Sequence, residues 1–103
     1  MNIQGGCLCG GIRYEVSGPL TDVGNCHCSM CRRFHGAAFA TYAKVGSSLG
    51  VPARGKLSDI ALGPLDSDPG VRPDKHIFVG SKAGWFQIND TLPQHDEWPP
   101  GGR

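Results

Sequence analysis

Five cysteines, Cys7, Cys9, Cys26, Cys28 and Cys31, fall within the first 31 of 103 residues, in two tight clusters. An odd number of thiols and the lack of a secretion signal argue against a disulfide framework. The clustering points to a metal; scattered structural thiols and thiol redox chemistry are the alternatives. Cys26-x-Cys28-x-x-Cys31 places three thiols within six residues, and a turn feeding a helix start can aim all three at one point. Zinc suits such donors: it takes thiolates at about 2.3 Å in tetrahedral geometry. Three protein ligands leave one position open, the mark of a catalytic rather than a structural zinc. Arg32, Arg33 and a helix N-terminus beside the thiols favour the thiolate form. The competing arrangement is a closed site whose fourth ligand comes from elsewhere, with His35 as a candidate, while His27, His76 and His95 read as surface or packing residues. Cys7-x-Cys9 supplies two thiols only, half of a zinc site, and no cysteine follows Cys31 to complete it.

The elements that must hold these thiols are short. Residues 5–11 form a glycine-flanked knuckle, and residues 12–16 alternate apolar and polar as a half-buried strand does. A second strand is expected over 21–26, one helical turn over 29–34 with Ser29 as N-cap, and a strand over 39–45. Residues 46–55 have loop composition, a strand is possible near 57–62, and residues 66–70 are a turn. Residues 76–79 form a short apolar strand, residues 83–88 a further aromatic segment, and the tail runs extended. Trp85, Phe86 and Trp98 are expected to be packing anchors, since few large side chains must fill a thin core. No strand–helix alternation predicts a parallel sheet, so the fold class is all-β with mostly antiparallel strands.

Composition narrows the functions. With 103 residues the chain is expected to be a single domain. Gly 16 and Pro 8 make up close to a quarter of it, which excludes a long helical bundle. A domain this small often needs a metal or a partner chain. The net charge is +1, with no basic stripe for nucleic acid and no polybasic run for a lipid surface. Neither a signal peptide nor an apolar stretch of membrane-spanning length is present, so a cytoplasmic location is expected.

Gly6-Cys7-Leu8-Cys9-Gly10-Gly11-Ile12-Arg13-Tyr14, followed by Cys26-His27-Cys28-Ser29-Met30-Cys31-Arg32-Arg33, resembles the glutathione-dependent formaldehyde-activating enzymes, a family that includes centromere protein V-like members. Residues 73–83 and 92–100 look like the C-terminal region of the same family. The resemblance implies a small β-tent-like fold of short antiparallel strands and two zincs. Cys26, Cys28 and Cys31 match the zinc associated with catalysis; Cys7 and Cys9 match the first half of a structural site. Family members continue after this point through a hairpin and a second Cys-x-x-Cys pair. Here Val45 runs directly into Gly46-Ser47-Ser48-Leu49. The chain reads as one zinc-binding domain, 1–103, truncated in the middle, with a loop at 46–56 at the deletion junction.

The resemblance implies a carbon–sulfur lyase acting on glutathione–aldehyde adducts, with glutathione or a similar small thiol as partner. Arg32, Arg33 or Lys44 could attract its carboxylates, or be plain solvated charges, and no catalytic proton-transfer residue is identifiable. The alternative is a non-catalytic truncated zinc-binding module that dimerises. A homodimer is expected by strand addition, by exchange of an element hinged at 46–55, or by two Cys7–Cys9 half sites sharing a metal.

Overall fold

The structure is a computed structural model and describes residues 2–17, 19–45, 48–49 and 59–101. Its elements are β1 (Asn2–Gly6), β2 (Arg13–Ser17), β3 (Leu20–Cys26), α1 (Ser29–His35), β4 (Ala40–Val45), β5 (Ser48–Leu49), β6 (Asp59–Ala61) and β7 (His76–Ile77), with a 3-10 turn at Val79–Ser81. They form a three-stranded sheet, β1-β2-β5, and a four-stranded sheet, β6-β4-β3-β7. The described part is thus mostly strands with one short helix, as the composition requires. No helix among the described residues is long and apolar enough to cross a membrane.

Two compact units emerge, Met1–Val23 with Tyr42–Arg72 and Gly24–Thr41 with Pro73–Arg103. In the first, β1 and β2 pair antiparallel with Ile3 opposite Val16 and Gly5 opposite Tyr14. A Cβ on Gly5 would lie 2.8 Å from the Tyr14 hydroxyl and 2.9 Å from the Pro64 carbonyl, so only glycine fits. β4 and β6 pair with Ala43 opposite Ile60. Val16, Leu20, Val23, Ala43 and Ile60 form the core, flanked by Tyr14, Val45, Leu62, Leu65 and Val71. Burying each Val, Leu or Ile contributes about 1.5–3 kcal/mol, so a core this small holds its unit with little margin.

The second unit contains the thiol-rich turn. The end of β3 pairs parallel with β7, Asn25 opposite His76 and Cys26 opposite Ile77. The tail folds back on this segment: His76 donates its amide to the Pro93 carbonyl, and Phe78 donates to that of Glu97. Trp98 meets Phe78 edge-on at 5.0 Å.

Several expectations need correction. β1 had no signal, because Gly5 and Gly6 read as part of the knuckle. Ile12 lies in the loop before β2 and is exposed, so the alternation starts one residue late. The β3–β7 pair is parallel, because β7 belongs to a distant segment with room for a crossover. Within the aromatic segment 83–88 only residues 84 and 85 form a turn, and Trp85 is 75% exposed and is no anchor. Of the 46–56 loop, Ser48–Leu49 forms β5 against β2; the rest, and residues 57 and 58 of the strand expected there, lie outside the described residues.

Candidate metal centre

Cys26 closes β3, Cys28 caps α1, and Cys31 sits in its first turn. The cap is Cys28 rather than Ser29: its extended backbone, at φ −67° and ψ 158°, lets the sulfur accept from the Cys31 amide at 3.4 Å. That bond satisfies one of the open amides of the helix start and draws the Cys28 sulfur over the first turn. At the other end Gly36, at φ 60°, adopts the left-handed cap that glycine favours, and donates to the Arg32 carbonyl.

The sulfurs of Cys26, Cys28 and Cys31 lie within 4.8 Å of one another. Three thiolates about 2.3 Å from a tetrahedral zinc stand about 3.8 Å apart, so the trio needs only a small contraction to hold one. Burial pushes the Cys26 thiol up to about 12, helped by the neighbouring sulfurs of Cys31 and Cys28 and opposed by the Cys28 amide. Burial also raises Cys28, but hydrogen bonds from the Cys31 amide and the adjacent thiols outweigh it, and the net shift is down. Cys28 is thus the readier of the two to ionise, and the buried Cys26 thiol would give up its proton when a cation arrives. His35, on the exposed end of α1, is not part of the group, and neither are His27, His76 or His95.

Residue 27 lies between two of the thiols and is held at its amide, its carbonyl and its ring Nε2. Its amide donates to the Ile77 carbonyl at 3.0 Å. Its carbonyl accepts from Arg32 Nε at 3.4 Å, and Arg32 Nη2 also donates to the Ser81 carbonyl at 3.3 Å. The His27 ring is 0% exposed, and its Nε2 stands 2.9 Å from Nδ1 of His76, itself 2% exposed. His76 Nε2 in turn meets both carboxylate oxygens of Asp90, at 3.0 and 2.9 Å. Phe39 and Phe86 wall the His27 ring, with centroids 5.1 and 6.1 Å away. Burial, then the neighbouring His76 and Lys82, lower the His27 pKa to about 4. This chain of three side chains was not singled out from the sequence. The one available signal was a histidine between two candidate ligands.

Cys7 and Cys9 stand in the other unit, both exposed, on a turn closed by the Cys7 amide to the Ile12 carbonyl and the Gly10 amide to the Cys7 carbonyl. Their sulfurs are 3.4 Å apart, and the Gly11 amide donates to Cys9 at 3.3 Å. Hydrogen bonds from the amide and thiol of Cys9 lower the Cys7 pKa. No group of three metal donors among the described residues includes them, so they do not make a complete zinc site. Among the cations considered for glutathione, Arg32 is engaged by two carbonyls, Lys44 stands 3.8 Å from Asp22, and Arg33 is exposed on α1.

No curated protein sequence matches the chain. The sequence model described as "Glutathione-dependent formaldehyde-activating enzyme" matches residues 2–49, a span that contains all five cysteines. Over that segment, just under half of its length, the chain is similar to the glutathione-dependent formaldehyde-activating enzymes.

Proposed function

We propose that the chain binds zinc through Cys26, Cys28 and Cys31 and acts as a carbon–sulfur lyase on glutathione–aldehyde adducts, in the manner of an S-(hydroxymethyl)glutathione synthase. The observation that carries the reading is the gathering of three sulfurs within 4.8 Å in a segment similar to this family. In the synthetic direction the sulfur of a small thiol adds to the aldehyde carbon. The carbonyl π pair moves to oxygen, and the thiol proton ends there. Zinc, when bound, supplies Lewis-acid polarisation of the aldehyde oxygen or a seat for the thiolate. The three cysteines hold it, and exposed Arg33 offers a charge to a glutathione carboxylate. A single β-tent-like domain, a cytoplasmic location, and partners that include neither nucleic acid nor membrane belong to the same proposal.

A second reading, a non-catalytic zinc-binding module that dimerises, is favoured by one observation. Cys7 and Cys9 are exposed, adjacent and incomplete as a site, so two copies can supply four thiolates to one metal. Zinc per chain, followed by glutathione-dependent loss of free formaldehyde, separates the two. Turnover supports the lyase; full zinc occupancy without turnover supports the module.

A further inference from the structure

We propose that Asp90 and His76 are positioning residues for the metal-binding thiols: through the ring of His27 they hold the Cys26–Cys28 turn in the shape that gathers the sulfurs. The inference rests on the zinc reading above. The backbone torsions of residue 27 set where the sulfurs on either side of it stand. Its amide and carbonyl are anchored by Ile77 and Arg32, which leaves the ring as the remaining lever on the turn.

The ring does not act as a ligand, since the group of metal donors is Cys26, Cys28 and Cys31. Two imidazoles are nevertheless buried completely, 0% and 2% exposed, in a protein with little core to spare. Burying polar rings is tolerable only when they are hydrogen-bonded. The bonds run in one direction. An ionised Asp90 only accepts, so His76 Nε2 carries the proton that faces it. In the neutral His76 ring Nδ1 is then bare and accepts from His27 Nε2–H. The Asp90 carboxylate is itself held by the Leu92 amide at 3.0 Å, so the series starts from a fixed point.

The far end of the His27 ring shows which bond sets its orientation. Nδ1 is buried and has no hydrogen-bond partner among the described residues. The ring therefore takes its orientation from the His76 side. A half-turn about Cβ–Cγ would swing Nε2 away and leave His76 Nδ1 unmet as well. The Phe39 and Phe86 walls exclude water, which strengthens the His27–His76 bond and makes its loss costly. The arrangement resembles the outer-shell partners that orient metal ligands elsewhere, but it acts on the backbone between two ligands rather than on a ligand ring.

The test titrates the full chain with cobalt(II), read by the thiolate-to-cobalt charge-transfer bands, in wild type, Asp90→Asn, Asp90→Glu and His76→Gln. The Asp90 side chain is 47% exposed, so its variants should fold. Asp90→Asn and His76→Gln are expected to weaken cobalt(II) binding about 10–100-fold, with Asp90→Glu recovering part of the loss. Unchanged affinity in folded Asp90→Asn and His76→Gln overturns the inference and leaves the zinc reading standing. A wild type showing no bands sensitive to Cys28→Ser overturns both. If the variants do not fold, nitrogen-15 spectra of the wild-type imidazoles decide. A single Nε2–H tautomer at both His27 and His76 supports the series; exchanging tautomers, or His27 protonated at Nδ1, overturns it.

Discussion

Arg32 donates from Nε to the carbonyl of His27 while its Nη2 reaches the carbonyl of Ser81, so one guanidinium ties the thiol-bearing turn to the 3-10 turn that follows β7. Lysine has one nitrogen and cannot reproduce this fork. Arg32→Lys is expected to cost about 1 kcal/mol of stability and to weaken metal binding several-fold. Denaturant unfolding of the metal-free protein and a competition titration for zinc measure the two effects. Wild-type behaviour in both would mean that the fork contributes nothing.

Loss of one thiol should act unequally at the two clusters. Cys26, Cys28 and Cys31 form a group able to hold a metal, whereas Cys7 and Cys9 are joined by no third donor among the described residues. Cys28→Ser is expected to remove far more of the bound zinc than Cys7→Ser, which can touch only the share held between copies. Metal analysis of the dialysed proteins gives the comparison, and equal losses would contradict it.

How far the sequence disclosed this site follows from the kind of signal each residue carries. Three thiols at 26, 28 and 31 are legible because their spacing is a local signal: a strand end and a first helical turn carry all three on one short segment. β2, β3 and β4 are legible because their alternation or β-rich composition is local too. Asp90 carries no such signal. It meets His76 across 14 residues of irregular chain, and His76 meets His27 across 49, so only tertiary folding makes them neighbours. Trp85 and Phe86 show the same limit from the other side. Both are large aromatics at adjacent positions, yet the turn at 84–85 puts one in solvent and the other against Phe39.

That division gives a direct stability test. Phe86 packs its ring 5.5 Å from Phe39 and 6.1 Å from His27, whereas Trp85 is 75% exposed. Phe86→Ala is expected to destabilise the fold by about 2–4 kcal/mol, near the lower part of the range for buried aromatics. Trp85→Ala should stay within about 0.5 kcal/mol of wild type. Thermal melts of both decide, and a larger loss from Trp85→Ala would reverse the assignment.

Acid should loosen the metal-free protein before ordinary carboxylates protonate. His27 is lowered from 6.5 to about 4, first by burial and then by His76 and Lys82. Between those values the unfolded chain holds a proton that the folded chain refuses. Stability is therefore fully present above about pH 6.5 and declines as the pH falls toward 4. Asp90, lowered by its hydrogen bond from His76, adds a loss of the same sign as the pH falls below its ordinary value of 3.8. The melting temperature of chelator-treated protein is expected to drop by several degrees between pH 6.5 and pH 4. A flat profile across that window would show that His27 titrates normally.

The quaternary state should depend on metal rather than on strand addition. β5 and β7 each have two residues and β6 has three, which gives an incoming chain little backbone to pair with. The outer side of β1 is engaged in part, by a bridge from Gly5 to Leu65 and by the Asp66 amide on the Gln4 carbonyl. Exposed Cys7 and Cys9, with sulfurs 3.4 Å apart, offer the stronger contact, because one metal between two copies gains four thiolates at once. Gel filtration of the zinc-loaded chain at micromolar concentration is expected to show a dimer. A chelator should dissolve it, and so should the paired substitution Cys7→Ser/Cys9→Ser. A dimer that survives both treatments is held by strands or by an exchanged element instead. A monomer under every condition would show that the Cys7–Cys9 turn bridges nothing.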